Sequence, residues 1–158
     1  MSKQTLFFSV LWLLLASVIY FLVDNIQNPN KSYRLSETST VILKRGLDGH
    51  YRSEAFINGK KVDVLVDTGA TGVAISQSLA DQLGLKSITA IGVNTANGDS
   101  VGYMVRLKSV KIGGIEEQNV SAMIAPNLEG DVLLGMSFLG RLDVRLFKGE
   151  MTLKQVAE

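Results

Sequence analysis

The stretch VLVDTGATGVAIS, residues 64–76, decides how the rest of the chain is interpreted. Its first three residues are apolar and rich in β-branched side chains, which predicts a strand buried on both faces. The strand leads into Asp67, and an aspartate can act as a general base. Thr68 can hydrogen-bond locally, Gly69 lets the backbone approach the carboxylate closely, and Ala70 leaves room for a substrate. The stretch therefore predicts a carboxylate in a loop that is held rigidly by the buried strand before it.

Asp-Thr-Gly alone is a weak signal, because at average residue usage a chain of this length would contain it by chance in roughly three cases per hundred. The alternative without chemistry is a turn in which Asp67 accepts a hydrogen bond from its own backbone. A second stretch, VLLGMSFLG at 132–140, also runs from three apolar residues into a glycine. This echo suggests two related half-units in one domain, which favours the chemical interpretation.

Two hairpins are predicted around this stretch. Residues 51–57 and 60–66 are extended runs joined by Asn58-Gly59, the dipeptide best suited to a type I′ turn. A second hairpin is predicted around Asn97-Gly98, and residues 101–107 on its far arm alternate between apolar and other side chains. Both hairpins indicate a β-rich domain.

One helix is predicted in the domain core, capped by Ser76 and ended by Gly84 in a left-handed conformation. Further along, the apolar phase slips by one residue after Lys108, which predicts a bend near Ser109. Later strands are predicted at 119–125 and 142–146, and short strands at this spacing argue for a closed or folded-over β architecture. These patterns together predict an all-β domain.

Composition excludes several classes of function. The 158 residues allow one compact domain plus an appendage. The net charge is +1 and the basic residues are scattered, so no nucleic-acid partner is expected. The chain has no cysteine and a single histidine, His50, and it lacks a Gly-x-Ser-x-Gly elbow. We therefore expect no metal, no other cofactor and neither a serine nor a cysteine nucleophile.

The N-terminal region predicts a membrane anchor. Residues 6–23 carry no charge over 18 positions, close to the roughly 20 residues that cross a bilayer as a helix. A cleavable signal peptide is disfavoured, because its apolar region is usually shorter and ends at small residues. The predicted organisation is a tail at 1–5, the span at 6–23, a polar linker at 24–40 and a folded domain at 41–156.

Three stretches together resemble the retropepsin-like aspartic peptidases, in particular the bacterial single-domain, membrane-anchored members of that clan. They are Val66-Asp67-Thr68-Gly69-Ala70-Thr71-Gly72, Thr95-Ala96-Asn97-Gly98 and Leu133-Leu134-Gly135. The resemblance covers about residues 41–156, and the three stretches are much more specific together than Asp-Thr-Gly alone.

The resemblance implies a small closed barrel-like acid-protease fold with one short helix or two. It also implies peptide-bond hydrolysis by two aspartates, one from each of two copies paired across a twofold axis. Thr68 would brace the two catalytic loops, and the hairpin at 93–102 would close over a bound peptide as a flap. By this resemblance the catalytic residues are Asp67, Thr68 and Gly69, and the substrate-binding residues are Ala70, Thr95, Ala96, Asn97 and Gly98.

A homodimer is expected because the reaction needs two carboxyls in one site. One takes a proton from water while its protonated neighbour polarises the scissile carbonyl. No aspartate other than Asp67 is followed by Thr-Gly or Ser-Gly, so one chain cannot supply both. Two copies held on one membrane have a raised effective concentration, which would favour a weak dimer.

Two departures from the family pattern leave other functions open. Retroviral relatives commonly have a charged residue after the apolar-apolar-Gly element, whereas this chain has Met136-Ser137. The flap tip Asn97-Gly98-Asp99 is also more polar than the glycine-rich retroviral tip. The alternatives are a catalytically silent module that binds extended peptides by strand pairing, and a structural tethered domain in which Asp67 serves only the turn.

The charges beside the span give the expected orientation. Lys3 and the amino terminus precede the span, and Asp24, Lys31 and Arg34 follow it, which favours the bulk of the chain lying outside the cytoplasm. With the bacterial resemblance, the expectation is a single-pass protein of the inner membrane with its peptidase domain on the periplasmic side.

Overall fold

The first element of the protein is a long apolar helix. The computed structural model describes residues 3–27, 40–95 and 98–156, and it begins with α1 (Lys3–Gln27). Within the described residues α1 is the one helix long and apolar enough to cross a membrane, with a mean hydropathy of 2.6 over its candidate span. The large apolar side chains from Leu6 to Val23 are exposed. The length and composition of α1 agree with the predicted span.

The rest of the described chain is mostly β structure with two short helices, α2 (Gln77–Gln82) and α3 (Met136–Leu139). The strands are β1 (Thr40–Lys44), β2 (Tyr51–Ile57), β3 (Lys60–Val66), β4 (Val73–Ser76), β5 (Ala90–Thr95), β6 (Gly98–Ile112), β7 (Ile115–Ala125), β8 (Val132–Leu134), β9 (Leu142–Phe147) and β10 (Glu150–Gln155).

Six of the strands close into a barrel in the order β2-β3-β8-β4-β7-β6. The barrel closes where Phe56 and Ile57 of β2 pair with Lys111 and Val110 of β6. Two of its neighbouring pairs are parallel, β3 with β8 and β4 with β7, and β5 extends the sheet beyond β6. The predicted all-β, closed barrel-like fold is confirmed.

A separate three-stranded antiparallel sheet, in the order β1-β10-β9, covers part of the same core. Val41 and Leu43 of β1 pair with Leu153 and Met151 of β10, and all four side chains are buried. They join one hydrophobic cluster with barrel residues such as Leu134. The two sheets therefore share a single core.

The first hairpin is confirmed with its predicted turn. Asn58 and Gly59 both have positive φ, at 50° and 83°, as a type I′ turn requires. The Asn58 side chain has a second role that the sequence did not indicate, since its Oδ1 accepts hydrogen bonds from the amides of Lys108 and Ser109. Successive amides in a regular strand point to opposite sides, so β6 is distorted at these two residues. The distortion lies where the sequence predicts a bend, near Ser109.

Helix α2 also forms as predicted. The Ser76 hydroxyl accepts a hydrogen bond from the Leu79 amide at 3.3 Å, and Gly84 follows the helix with φ at 65°. Leu79 and Ala80 are buried against the core. The position of helix α3 was not predicted, because its four residues are too few to show a helical period.

Candidate active site

Asp67 stands at the end of β3, and its backbone and its side chain are both held. Its amide donates to the Leu134 carbonyl at 3.0 Å, which continues the pairing of β3 with β8 by one residue. Its carboxylate Oδ1 accepts a hydrogen bond from the Gly69 amide at 2.8 Å. The side chain is half-buried. The loop therefore fixes a carboxylate in one orientation and leaves part of it open to solvent.

The hydrogen bond from the Gly69 amide to Asp67 forms the turn that is also expected if Asp67 has only a structural role. It engages one carboxylate oxygen, and an ionised carboxylate has two oxygens that can each accept more than one hydrogen bond. The turn and a chemical role are thus compatible. A side chain at Gly69 would disturb the arrangement, because its Cβ would lie 3.2 Å from Asp67 Oδ1.

Residues 134–137 clamp the whole loop between β3 and β4. Besides the Leu134 contact at its start, the amides of Met136 and Ser137 donate to the carbonyls of Ala70 and Thr71, at 2.8 and 3.1 Å. At its end, the Val73 amide donates to the Ser137 hydroxyl at 2.9 Å. The loop is therefore held at its start, its middle and its end by one short segment.

Gly135 makes this clamp possible because it has no side chain. A Cβ at this position would lie 2.3 Å from the Gly72 carbonyl oxygen and 2.6 Å from the Ala70 carbonyl oxygen. Backbone atoms cannot move aside as a flexible side chain can. The two backbone segments consequently pack more closely than any residue other than glycine would permit.

The second predicted part of the site, the hairpin at 93–102, is formed by β5 and β6. Val93 pairs with Ser100 and Thr95 pairs with Gly98, so the hairpin is confirmed. Ala96 and Asn97, the predicted substrate-binding residues at its tip, lie outside the described residues. The hairpin is connected to the loop through the barrel sheet. Strand β6 pairs with β7, and β7 pairs with β4, the strand that follows the loop directly.

The structure brings together Asp67, Thr68, Gly69 and Ala70 in the clamped loop. Thr68 is exposed and Ala70 is half-buried. Ser137, which joins two segments at the end of the loop, was not predicted as a site residue. In the sequence it stands out only as a departure from the retroviral pattern. Among the described residues, no group of three or more His, Asp or Glu side chains could hold a metal ion.

A titratable group with a shifted pKa lies outside this loop. The amide of His50 and the guanidinium of Arg52 lower the pKa of the Asp48 carboxyl below its ordinary value. The His50 amide donates to Asp48 Oδ1 at 3.0 Å, and Arg52 forms an ion pair with the other oxygen. Asp48 and His50 lie before β2 and Arg52 lies at its start, so the contacts join the turn to the start of this strand.

Comparison with known proteins places the chain in one family. A family model described as gag-polyprotein putative aspartyl protease matches residues 53–141, more than half of the chain. A solved retropepsin-like aspartic protease from Rickettsia conorii is 34% identical, covers 73% of this chain and 90% of its own, and superposes with a TM-score of 0.65. The EIAV protease, solved with an inhibitor, is 19% identical at a TM-score of 0.50, covers 60% of this chain and 88% of its own, and supports the fold alone.

Two curated relatives are themselves uncharacterized proteins. One, from Sinorhizobium sp, is 37% identical over 108 residues, which are 66% of this chain and 46% of the relative. The other, from Rickettsia prowazekii, is 35% identical over 122 residues, which are 75% of this chain and 50% of the relative. The chain therefore spans about half the length of these two relatives.

Proposed function

Because the chain belongs to the gag-polyprotein putative aspartyl protease family and has a retropepsin-like fold, we propose that it is an aspartic endopeptidase, active as a homodimer. The observation that carries the proposal is the clamped loop. Asp67 stands at the end of a buried strand, its carboxylate is oriented by the Gly69 amide, and the loop around it is held along its length. A turn with a purely local role would not require this support.

The reaction needs the Asp67 carboxylates of two copies. One carboxylate accepts a proton from the attacking water, and the other, protonated, donates a hydrogen bond to the scissile carbonyl. Two adjacent carboxyls hold one proton between them because like charges at close range do not both ionise easily, so the apparent pKa values belong to the pair. A second copy of this chain is the source of the partner carboxyl.

The remaining site residues bind the peptide or join the two copies. Thr68, which is exposed beside Asp67, braces one catalytic loop against the other. The hairpin of β5 and β6 closes over the substrate, and the proposed substrate-binding residues are Thr95, Ala96, Asn97 and Gly98 of the hairpin and Ala70 of the loop. An extended peptide would pair its backbone with exposed strand edges, which suits a protein substrate of varied sequence.

Helix α1 is the proposed membrane anchor. Its candidate span, Gln4–Gln27, is long enough to cross a bilayer, and its apolar side chains are exposed rather than packed in a core. The proposed peptidase domain at 41–156 follows this anchor, whereas α1 extends into both the tail predicted at 1–5 and the linker predicted at 24–40. The protein is then a single-pass component of the bacterial inner membrane with this domain on the periplasmic side.

The full chain in detergent micelles would test the proposal through cleavage of a peptide library from acidic to neutral pH. Asp67→Asn is compared with the wild type and with Asp63→Asn, a matched control on the exposed face of the same strand. We expect Asp67→Asn to lower kcat/KM by about 10² to 10⁴-fold and Asp63→Asn to leave it nearly unchanged. Specific activity should also rise with protein concentration as the dimer forms.

The other candidate is a catalytically silent module of the same fold that binds extended peptides. It is favoured by the turn at Asp67, which would exist without any chemistry. Equal inactivity of a folded, dimeric wild type and of Asp67→Asn would favour this module. Peptide binding that is unchanged by Asp67→Asn would identify it.

A further inference from the structure

The inference concerns Ser137, whose hydroxyl closes the clamp at the end of the Asp67 loop. The hydroxyl accepts a hydrogen bond from the Val73 amide at 2.9 Å and donates one to the Ser121 carbonyl at 2.8 Å. One side chain on α3 therefore links the first residue of β4 to β7. Both of its hydrogen bonds are with backbone groups of strands in the barrel.

Ser137 contributes the one side-chain contact in the clamp described above. The contacts of residues 134–137 with Asp67, Ala70 and Thr71 are made by backbone atoms, and a substitution does not delete them. The contact with Val73 is made by Oγ and can be removed without changing the backbone. Val73 is completely buried, so water cannot easily replace the lost acceptor for its amide.

Loss of this contact should loosen the loop and spare the barrel. From Val73 to Ser76, β4 pairs in parallel with β7, and Ala74 and Ile75 pair with β8 on the other side. This ladder holds Ala74, Ile75 and Ser76 without the hydroxyl, which is bonded to the Val73 amide. The six-residue loop between Val66 and Val73, by contrast, would lose the contact at its end and keep only those at its start and its middle.

We propose that Ser137 is a positioning residue for catalysis: through Val73 it fixes the end of the loop that orients Asp67. This inference rests on the proposed peptidase function. Its effect should fall on kcat rather than on KM, because a displacement of about 1 Å at a reacting group can lower the rate by about 10²-fold, whereas peptide binding is spread over many contacts.

The test compares Ser137→Ala, Ser137→Thr and Ser53→Ala in the full chain. Threonine keeps the hydroxyl. Ser53 is the matched control, because it is also a poorly exposed barrel serine, at 4%, whose hydroxyl bonds only the adjacent Glu54 carbonyl in the described contacts. We expect Ser137→Ala to lower kcat by about 10 to 10²-fold with KM changed by less than about threefold. Ser137→Thr should recover most of kcat, and Ser53→Ala should match the wild type.

Amide hydrogen exchange supplies a readout that does not depend on activity. In Ser137→Ala the amides of Val73 and Gly69 should exchange faster, while the amide of Ile75 inside the ladder should not. An unchanged kcat or unchanged exchange at Val73 in a folded Ser137→Ala protein would overturn the inference, as would a folded Ser137→Thr protein as slow as Ser137→Ala. If the wild type cleaves nothing, the proposed function fails, and the exchange at Val73 and Gly69 still decides whether Ser137 holds the loop.

Discussion

Two segments of the barrel have similar sequences and the same strand structure, but they contribute different groups to the candidate site. Residues 64–66 and 132–134 lie side by side as parallel strands, with Val64 opposite Val132 and Val66 opposite Leu134. The first strand ends in Asp67, and the second ends in Gly135, which has no side chain. The first segment presents a carboxylate, and the second supplies backbone donors and the space into which the loop packs.

The helices that follow the two segments are capped in different ways. Helix α2 begins at a side-chain cap, because Ser76 accepts a hydrogen bond from the Leu79 amide. Helix α3 has Gly135 as its N-cap and no side-chain cap, and its first amides donate instead to carbonyls of the Asp67 loop. Loop and helix therefore satisfy each other's backbone groups, so neither should be stable in its present form without the other.

The largest expected effect is that of Gly135→Ala, which changes the second of these segments. The added Cβ would meet the Gly72 and Ala70 carbonyl oxygens at 2.3 and 2.6 Å. We expect the free energy of unfolding to fall by about 3 kcal/mol or more, or the protein not to fold, because a tightly packed backbone cannot absorb the extra atom. Urea unfolding of the full chain in detergent, followed by circular dichroism, would measure the loss.

Gly72→Ala is the matched control for Gly135→Ala. Gly72 lies on the other side of the same contact, but a Cβ there would meet nothing within 4 Å. Its effect should stay within about 0.5 kcal/mol. Equal stability of the two variants would show that the close approach of the two segments is not needed for folding.

The next largest expected effect is that of Gly69→Ala, which changes the loop that carries the Asp67 carboxylate. The new Cβ would lie 3.2 Å from Asp67 Oδ1, so the carboxylate must shift by a few tenths of an ångström. We expect kcat to fall by about tenfold while the unfolding midpoint changes little. Steady-state peptide cleavage together with thermal melting would separate the two effects, and full activity in this variant would mean that the orientation of the carboxylate is not critical.

The two segments and the elements beside them could largely be predicted from the sequence, because they depend on local residue patterns. The echo of residues 64–69 in 132–140 marked the two segments that pair in the structure. Asn58-Gly59 and Ser76 indicated a turn and a helix start. The clamp was not predictable. It consists mainly of backbone hydrogen bonds between distant segments, such as that from the Met136 amide to the Ala70 carbonyl, and backbone groups leave no signature in residue type. Its one side-chain contact joins Ser137 to Val73, which are 64 residues apart.

A smaller effect is expected from Ser76→Ala, which removes the side-chain cap of α2. The Leu79 amide would lose its acceptor, at a cost of about 1 kcal/mol in the free energy of unfolding. The activity should not change, because the hydrogen bonds of α2 in the described part of the chain include none with the Asp67 loop. Chemical denaturation would measure the first result and peptide cleavage the second. A fall in kcat would show that α2 is coupled to the Asp67 loop.

The smallest effect is expected outside both segments, at Asp48. The pKa of its carboxyl is lowered by the His50 amide and by Arg52, so the folded state favours the charged form more than the unfolded state does. This contribution to stability is present above the ordinary carboxyl pKa of 3.8 and is lost as the pH falls through the lower folded pKa. Asp48→Asn should therefore lower the melting temperature slightly at neutral pH, and the difference should shrink at strongly acidic pH. Thermal melting of both proteins across this range is the measurement, with peptide cleavage as the control. A difference that persists unchanged in acid would mean that the charge of Asp48 is not its source, and a loss of activity would mean that this turn is coupled to the Asp67 loop.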